Sequence, residues 1–478
     1  MPLALVLHSH MPYVEGFGTW PFGEEWLWEA VSTVYLPLLD ELDGAPLTLG
    51  LTPVLCDQLE TLPGEAGDRL LAFLRDVRAP IHEEDARGLE EGNVPELAAE
   101  VRRAAGDYLR ADLALEERGR DVLGALAALE GVELWTSAAS HPVLPLLATD
   151  AGIELQLATG IASHERRFGG WRGGFWLPEC AYEPGLELQL AARGVRAFCV
   201  DQTGEHGLGA PEQLEPVLTE AGPVAVPIDW ATVELVWNDR RGYPTHGVYR
   251  NYHGRTVHDL KPWNNGGGAY DRAAAVELAR EHARDFLGRA AERLRAYESE
   301  RGRTGLLCCA LDTELLGHWW YEGPDWLATV LAEAPAAGVE LVTLSGGLEQ
   351  VEPVAGRELA PSTWGTGKDL STWSSAKVAG LAFGARTAEL RTVHALAQGR
   401  GSRAAAERAA RELLALQASD WAFMDTRELA AGYPTERVQA HAAAHDAALG
   451  ALKDSAPVPE AGVRNLAPDL DLSPLCAP

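Results

Sequence analysis

The chain has 478 residues, 46% of them hydrophobic, and a formal net charge of -30 from 40 basic and 70 acidic residues. This length exceeds that of one small domain and predicts a large catalytic domain with additions. The acidic surface excludes nucleic acid and anionic membranes as expected partners and favours a neutral or cationic substrate. No apolar run approaches the ~20 residues of a membrane span.

The six cysteines show no spacing typical of a zinc site or a disulfide framework, and Cys308 and Cys309 are adjacent. Such thiols are typical of a reducing compartment. The N-terminal sequence has no basic segment before its short apolar run, which favours a first strand over a signal peptide. We therefore expect a cytoplasmic protein.

Strands and helices alternate along most of the chain, which predicts an α/β fold with a mainly parallel sheet. Residues 56–130 repeat apolar residues at helical spacing and predict a helical insertion. Residues 201–222 are rich in Gly, Glu and Pro and predict a loop. Strands are predicted at 3–8, 47–51, 132–136, 174–177, 195–200, 224–228, 233–237, 305–311 and 339–343, and the main helices at 143–166, 185–193, 271–298 and 324–337.

The pattern changes near residue 375, after which Ala-rich helical segments replace the strands. The last residues contain repeated Pro and predict an extended tail. The expected organisation is a catalytic barrel (1–55 and 131–374), a helical insertion (56–130), a C-terminal helical domain (375–455) and an extended tail (456–478).

Two acids emerge from predicted strands into aromatic surroundings. Glu179 lies in the run Gly-Gly-Phe-Trp-Leu-Pro-Glu-Cys-Ala-Tyr, and Asp312 precedes Thr-Glu-Leu-Leu-Gly-His-Trp-Trp. Two carboxyl groups beside Trp suit glycosidic bond cleavage, with a nucleophile and an acid/base about 5 Å apart if configuration is retained. Capping residues at the ends of core strands are the alternative. Glu314 competes with Asp312, but we expect its side chain to face elsewhere.

Three histidines also follow predicted strands: His8, His10 and His141. They are candidates for hydrogen bonds to sugar hydroxyls, or for a metal site such as the His-x-His pair of amidohydrolases. Further metal ligands are scarce and no Lys lies at a strand end, so sugar contact is favoured.

The chain has 15 tryptophans, and three of them are candidate stacking platforms for sugar rings. Trp364 and Trp373 flank a segment rich in Gly, Ser and Thr, and Trp237 precedes a polar aromatic segment. The alternative for the first two is that they pin this loop to the helical domain.

Four longer motifs together resemble those of glycoside hydrolase family 57, and within it the 1,4-α-glucan branching enzymes. They are His-x-His-x-Pro-Tyr at 8–13, Trp-Leu-Pro-Glu-Cys-Ala-Tyr at 176–182, Leu-Asp-Thr-Glu-Leu-Leu-Gly-His-Trp-Trp at 311–320 and Ala-Ser-Asp-Trp at 418–421. The resemblance implies an incomplete (β/α)7 barrel with a helical insertion and a C-terminal helical domain. It also implies a retaining mechanism that needs neither a metal nor another cofactor.

In this resemblance Glu179 is the nucleophile and Asp312 the acid/base. The implied activity is transfer of a chain from an α-1,4 to an α-1,6 linkage in amylose or a glycogen-like glucan, as part of glycogen metabolism. The implied substrate-binding residues are His8, His10, His141, Trp237, His318, Trp364, Trp373 and Asp420.

Other activities remain open at this point. Residues 201–229 are shorter than the corresponding segment of branching members, and the region before Trp237 lacks an expected Arg. Because transfer depends on excluding water from the intermediate, an α-amylase-like hydrolase or a 4-α-glucanotransferase is an alternative. A metal-dependent amidohydrolase built on the histidine pair is a further alternative, and the two acids argue against a non-catalytic glucan-binding protein.

Overall fold

The computed structural model describes residues 1–399, 401–458, 462–463 and 465–476. In this part of the chain ten strands form one sheet. They are β1 (Pro2–Ser9), β2 (Thr48–Leu51), β3 (Glu133–Ser137), β4 (Gly174–Trp176), β5 (Ala197–Val200), β6 (Val217–Leu218), β7 (Val224–Pro227), β8 (Leu307–Asp312), β9 (Glu340–Val342) and β10 (Val354–Ala355).

Seven of these strands form a parallel barrel wall. Parallel pairs connect β8, β1, β2, β3, β4, β5 and β7 in that order. Asp229, just after β7, donates a backbone hydrogen bond to the carbonyl of Cys308 in β8 at 2.8 Å, which brings the two ends of the wall together. β1 is buried along its whole length, as expected for a parallel strand covered on both faces. The predicted α/β class with a mainly parallel sheet is confirmed.

The helices fall into groups that follow the strand order. Two π-helical turns, Val31–Tyr35 and Phe73–Arg78, each join two consecutive α-helices. Helices near the N-terminus are α1 (Glu24–Ala30) and α2 (Leu36–Leu42). Those between β2 and β3 are α3 (Pro53–Leu59), α4 (Glu65–Ala72), α5 (Ala79–Glu91), α6 (Pro95–Glu117) and α7 (Val122–Ala127).

The helices between β3 and β10 cover the barrel, and the helices after β10 form the C-terminal group. The barrel helices are α8 (Asp150–Phe168), α9 (Leu186–Ala192), α10 (Thr203–His206), α11 (Trp230–Trp237), α12 (Arg272–Arg301), α13 (Gly323–Glu333) and α14 (Leu344–Leu348). The C-terminal helices are α15 (Ser371–Ser374), α16 (Ala379–Ala397), α17 (Arg403–Gln417), α18 (Ser419–Arg427), α19 (Tyr433–Asp454) and α20 (Ser473–Cys476). No helix of the described residues is long and apolar enough to cross a membrane.

Two local predictions were wrong. The strand predicted at 233–237 is the end of α11, where Trp230, Val233 and Val236 are buried on one helical face. A short apolar run does not distinguish a buried strand from a buried helix by its period alone. The segment predicted as a loop at 201–222 contains the short helix α10 and the strand β6. β6 forms a strand because it pairs with β7 and β10.

The described part of the predicted extended tail packs onto the body of the protein. Leu466 and Leu475 are buried, and the chain forms the helical turn α20. Ala467 donates its backbone N–H to the carboxylate of Asp57 at 2.7 Å. Residues 459–461, 464, 477 and 478 of this prediction, and residue 400 of the predicted helical domain, lie outside the described residues.

Candidate active site

Glu179 is positioned by an unusual backbone turn at the end of β4. The 3-10 turn Pro178–Cys180 follows the strand, and Glu179 has φ 59 and ψ 17, in the left-handed region that non-glycine residues rarely adopt. Such a conformation persists only where the surroundings impose it. Here the backbone N–H of Trp364 donates to the Glu179 carbonyl at 2.9 Å, and the side chain lies at the wall of a cavity.

Both carboxylate oxygens of Glu179 accept a hydrogen bond. The indole Nε1 of Trp364 donates to Oε2 at 2.8 Å, and the hydroxyl of Ser419 donates to Oε1 at 2.7 Å. His141 Nδ1 lies 3.7 Å from Oε1. Burial raises the pKa of Glu179, whereas the two hydrogen bonds favour the charged form and oppose that rise. The site can therefore hold an ionised carboxylate in apolar surroundings.

Asp312 occupies a different environment in the same cavity. It is the last residue of β8 and lies in register with His8 of β1. Burial raises the pKa of Asp312 well above its usual range, and repulsion from Glu314 and Glu179 raises it further. Among the described residues no side chain donates a hydrogen bond to this carboxyl group. Its neutral form is favoured, as a proton donor requires.

Glu314 faces the same cavity, so the prediction that it faces elsewhere was wrong. The Tyr35 hydroxyl donates to its Oε1 at 2.5 Å, and the backbone N–H of His10 donates to the same oxygen at 3.2 Å. A 3-10 turn over Thr313–Leu315 redirects the chain after β8, which removes the alternation that a strand would impose. Burial raises the pKa of Glu314 to about 7.

The three predicted histidines form a stack beside Glu179. His10 lies on His141 with ring centroids 4.0 Å apart, and His8 lies on Trp176 at 4.5 Å. His8 Nε2 and His141 Nε2 are 3.0 Å apart. Burial lowers the pKa of both His8 and His141 well below the usual value, and repulsion from His10 adds to this.

His10 differs from the other two histidines because a carboxylate lies within hydrogen-bond distance of its ring. Its Nε2 is 3.0 Å from the Asp420 carboxylate. Burial lowers the pKa of His10, but the attraction and hydrogen bond of Asp420, together with the attraction of Glu179 and Glu314, leave this pKa raised. No group of three or more His, Cys, Asp or Glu residues in the described part of the chain is arranged to hold a metal ion.

All the predicted site residues line one cavity of about 2300 Å³. Trp237 is at its rim, with 47% of its surface exposed. Trp373 is only 2% exposed and packs under the loop that follows Trp364, so its ring is part of the wall and offers no open stacking face. The lining residues include His8, His10, His141, Glu179, Trp237, Asp312, His318, Trp364, Trp373 and Asp420.

Ser419 is a site residue that sequence reasoning missed. Its hydroxyl contacts both Glu179 and, at 3.0 Å, His141 Nδ1. Its position beside Asp420 in the Ala-Ser-Asp-Trp motif could have indicated a site residue. A serine before an acidic residue is too common in sequences to be singled out on that ground. Tyr35 was missed for a similar reason, because nothing local connects it to Glu314.

Two family models match this chain. The first, for glycosyl hydrolase family 57, matches residues 117–356, and the second, for the C-terminal part of 1,4-alpha-glucan branching enzymes, matches residues 384–469. A probable 1,4-alpha-glucan branching enzyme of Mycobacterium tuberculosis is 36% identical over 491 residues, covering 94% of this chain and 91% of the relative. The chain belongs to glycosyl hydrolase family 57.

Other family 57 proteins extend the likeness. The 1,4-alpha-glucan branching enzyme TK1436 of Thermococcus kodakarensis is 34% identical, over 92% of this chain and 72% of its own length. The crystal structure of a GH57-type branching enzyme from Pyrococcus horikoshii has a TM-score of 0.90 at 30% identity, over 99% of this chain and 96% of that one. The predicted fold class, an incomplete (β/α)7 barrel with a helical insertion and a C-terminal helical domain, is confirmed.

Proposed function

We propose that this family 57 protein is a retaining 1,4-α-glucan branching enzyme. The observation that carries the proposal is the pair Glu179 and Asp312, which line one cavity and differ in how they are held. Burial raises the pKa of both carboxyl groups, but among the described residues only Glu179 accepts side-chain hydrogen bonds that oppose this rise. Two hydrogen-bond donors favour the charged form of Glu179, and burial with two acidic neighbours favours the neutral form of Asp312. Carboxyl groups separated in this way can serve as nucleophile and acid.

The reaction proceeds in two displacements. Glu179 attacks the anomeric carbon of an α-1,4-linked glucosyl unit while Asp312 transfers its proton to the leaving glycosidic oxygen. The chain is then held as a glycosyl ester on Glu179. In the second step the Asp312 carboxylate takes the proton of a glucan 6-hydroxyl, whose oxygen attacks the same carbon and releases Glu179. No step requires a metal or another cofactor.

The remaining predicted residues have roles around this pair. We assign the stack of His8, His10 and His141, with Asp420 at its end, to the hydroxyls of the donor sugar beside Glu179. Trp364 acts on Glu179 directly, and Trp237 at the rim offers an exposed ring to the glucan chain. Trp373 supports the Trp364 loop, and His318 lines the cavity beyond Asp312.

The proposed substrate is a neutral α-1,4-glucan such as amylose or a glycogen-like polysaccharide. The names of the relatives and the match to the branching-enzyme C-terminal model support it. The net charge of -30 opposes binding to nucleic acid or anionic membranes. A cytoplasmic location is supported by the free cysteines, five of which are buried.

We further assign residues 1–55 and 131–374 to the catalytic unit, which the helices of 56–130 and 375–455 complete.

An α-amylase-like hydrolase is the second candidate, and one observation favours it. No described residue between 201 and 229 lines the cavity. This segment is instead held against the barrel, because Arg293 donates to the carbonyls of Gly209 and Ala210 at 2.8 and 2.9 Å. A segment held in this way does not cover the intermediate, and water that reaches the glycosyl ester gives hydrolysis.

Incubation of the purified protein with amylose distinguishes the two candidates. Branching lowers the iodine colour with few new reducing ends, and a debranching enzyme then releases short chains from the product. Reducing ends that rise in step with the colour loss would support the hydrolase. Activity that a chelator abolishes and zinc restores would instead indicate the amidohydrolase.

Glu179→Gln tests the nucleophile in either case. Because an amide cannot form the glycosyl ester, we expect less than about 1% of wild-type activity in the amylose assay. Lys453→Met is the control, since Lys453 is an exposed residue of α19 that does not line the cavity. Retention of more than a few per cent of activity in the Gln variant would mean that another residue is the nucleophile.

A further inference from the structure

One part of the cavity wall, apart from its residue His318, has no role in the chemistry described above. It consists of Tyr252 and Lys261, from the segment between α11 and α12, and of His318 and Trp319, from the loop that follows Asp312. We call these four residues the Lys261 wall. Each of them lines the cavity, and none contacts Glu179.

The Lys261 wall is built around stacked rings. The Tyr252 and Trp319 rings have centroids 4.5 Å apart and planes inclined by 33°. The ammonium of Lys261 lies 4.1 Å from the centre of the Tyr252 ring, and the Tyr252 hydroxyl lies 3.4 Å from His318 Nε2. Trp319 nevertheless keeps 46% of its surface exposed. Tyr252 thus backs the indole, and an uncovered indole face suits stacking on a sugar ring.

Lys261 is the cation of this region that has no ion pair among the described residues. Arg78 pairs with Glu25 at 3.0 Å and also with Glu29, Arg255 pairs with Asp259 at 2.6 Å, and Arg250 pairs with Glu100. Among the residues that the structure describes, no carboxylate lies within 4.0 Å of the Lys261 ammonium, and no group accepts a hydrogen bond from it. Burial lowers the pKa of Lys261 to about 8, so at neutral pH the group is mainly an ammonium with donors available to a ligand.

The charge balance of the region defines the class of that ligand. The three arginines and the four carboxylates just named carry a net charge of -1, which Lys261 balances. An anionic group such as a phosphate would meet these carboxylates as well as the ammonium, and like charges repel. A sugar hydroxyl accepts a hydrogen bond from the ammonium at no such cost. The ligand that fits is a neutral sugar.

We propose that the Lys261 wall is a subsite for a glucosyl unit on the acceptor side of the scissile bond. Trp319 stacks on the ring of this unit, and Lys261, which lies on the Tyr252 side of the indole, donates to a hydroxyl of the adjoining unit. His318 and Trp319 lie on the loop that begins at Asp312, the group that must face the leaving oxygen and later the acceptor hydroxyl. Glu179, by contrast, is held by Trp364 and Ser419. The assignment to the acceptor side rests on the proposed function.

Lys261→Met and Trp319→Ala test the subsite in a transfer assay. The donor is amylose with reduced ends, and the acceptor is labelled maltoheptaose at varied concentration. We expect each variant to raise the KM for the acceptor about tenfold, as for the loss of one charged hydrogen bond or one stacking contact, with kcat within about twofold. At saturating amylose, the rate of donor hydrolysis without acceptor should stay within about twofold of wild type, because saturation offsets weaker binding of the leaving chain. Lys453→Met, an exposed lysine on α19, is the matched control.

A binding measurement separates the subsite from the branching reaction. In the inactive Glu179→Gln background, calorimetry should show that Lys261→Met weakens maltoheptaose binding about tenfold. If the wild type only hydrolyses amylose, the branching proposal fails, but this measurement still decides whether the wall binds sugar. Unchanged affinity, an equal loss of hydrolysis and transfer, or tighter binding of a phosphorylated maltooligosaccharide than of the neutral one would overturn the assignment.

Discussion

Glu179 and His141 share a rare backbone conformation, with φ 59 at both residues. Both follow strands of the barrel, and Ser419 contacts both side chains. The Ser419 backbone N–H also donates to the His141 carbonyl at 3.0 Å. A left-handed backbone costs free energy at a non-glycine residue, and these contacts hold Glu179 and His141 in that conformation. The position of Glu179 therefore depends on residues from distant parts of the chain.

Trp364→Phe should move the acid limb of the pH–rate profile to higher pH. As the proposed nucleophile, Glu179 acts only when ionised, so activity falls as the pH drops through its pKa. Removing the indole donor leaves burial less opposed, and the pKa of Glu179 rises. A lost hydrogen bond to a charged group predicts a shift of about one pH unit.

The charged and titratable groups that face Glu179 define the control for this shift. They are His10, His141, Asp312 and Asp420, and all remain in the variant. Trp237→Phe changes an indole that does not contact Glu179, so its acid limb should coincide with that of wild type in the same kcat profile. An unshifted limb in Trp364→Phe would show that the indole does not control this ionisation.

At the scale of elements, the loop between β10 and α15 matters most, because it carries Trp364. An ion pair anchors this loop to the barrel: Lys368 Nζ is 2.7 Å from Asp201, which follows β5 and whose carboxylate is fully buried. The same ammonium lies 3.2 Å from the centre of the Trp230 ring, and Thr363 donates its backbone N–H to the Lys368 carbonyl at 3.3 Å. The pair thus positions the loop that holds Glu179.

Lys368→Met should lower both stability and kcat. It leaves the buried Asp201 carboxylate without its partner, at a cost of roughly 3 kcal/mol in the free energy of unfolding measured with urea. We expect kcat to fall about tenfold, with the acid limb displaced toward higher pH as in Trp364→Phe, because the indole is less well held.

Two further variants test this account of the loop. Asp201→Asn combined with Lys368→Met removes both charges and should recover part of the stability. Lys377→Met, which removes an exposed pair with Glu428, should leave stability and kcat near wild type. A stability loss in Lys368→Met with an unchanged acid limb would mean that the pair has no influence on Glu179.

At the scale of the whole molecule, the barrel and the C-terminal helices form one site. Ser419 and Asp420 begin α18, yet they contact Glu179 and His10 of the barrel. A shared apolar cluster joins these parts, with Tyr13, Val54, Leu155 and Leu466 packed together from four regions of the chain. The described tail is thus a part of the core between the barrel and the C-terminal helices.

Leu466→Ala should destabilise the protein by about 2–5 kcal/mol, because it leaves a cavity in this cluster. Leu188→Ala is the matched control, since Leu188 is 63% exposed and its truncation should change the free energy of unfolding by less than about 0.5 kcal/mol. Urea unfolding followed by circular dichroism measures both. Equal, small effects of the two substitutions would show that the tail does not stabilise the body.

The amino-acid sequence by itself determined the α/β class and the candidate acids Glu179 and Asp312, because hydrophobic periodicity and acids at strand ends are local patterns. Only the tertiary structure decided that α11 is helical, that Glu314 faces the cavity, that Trp373 is buried, and that Ser419 supports Glu179. The physical reason is distance along the chain: Ser419 and Glu179 are 240 residues apart, and their hydrogen bond exists only because the C-terminal helices pack on the barrel.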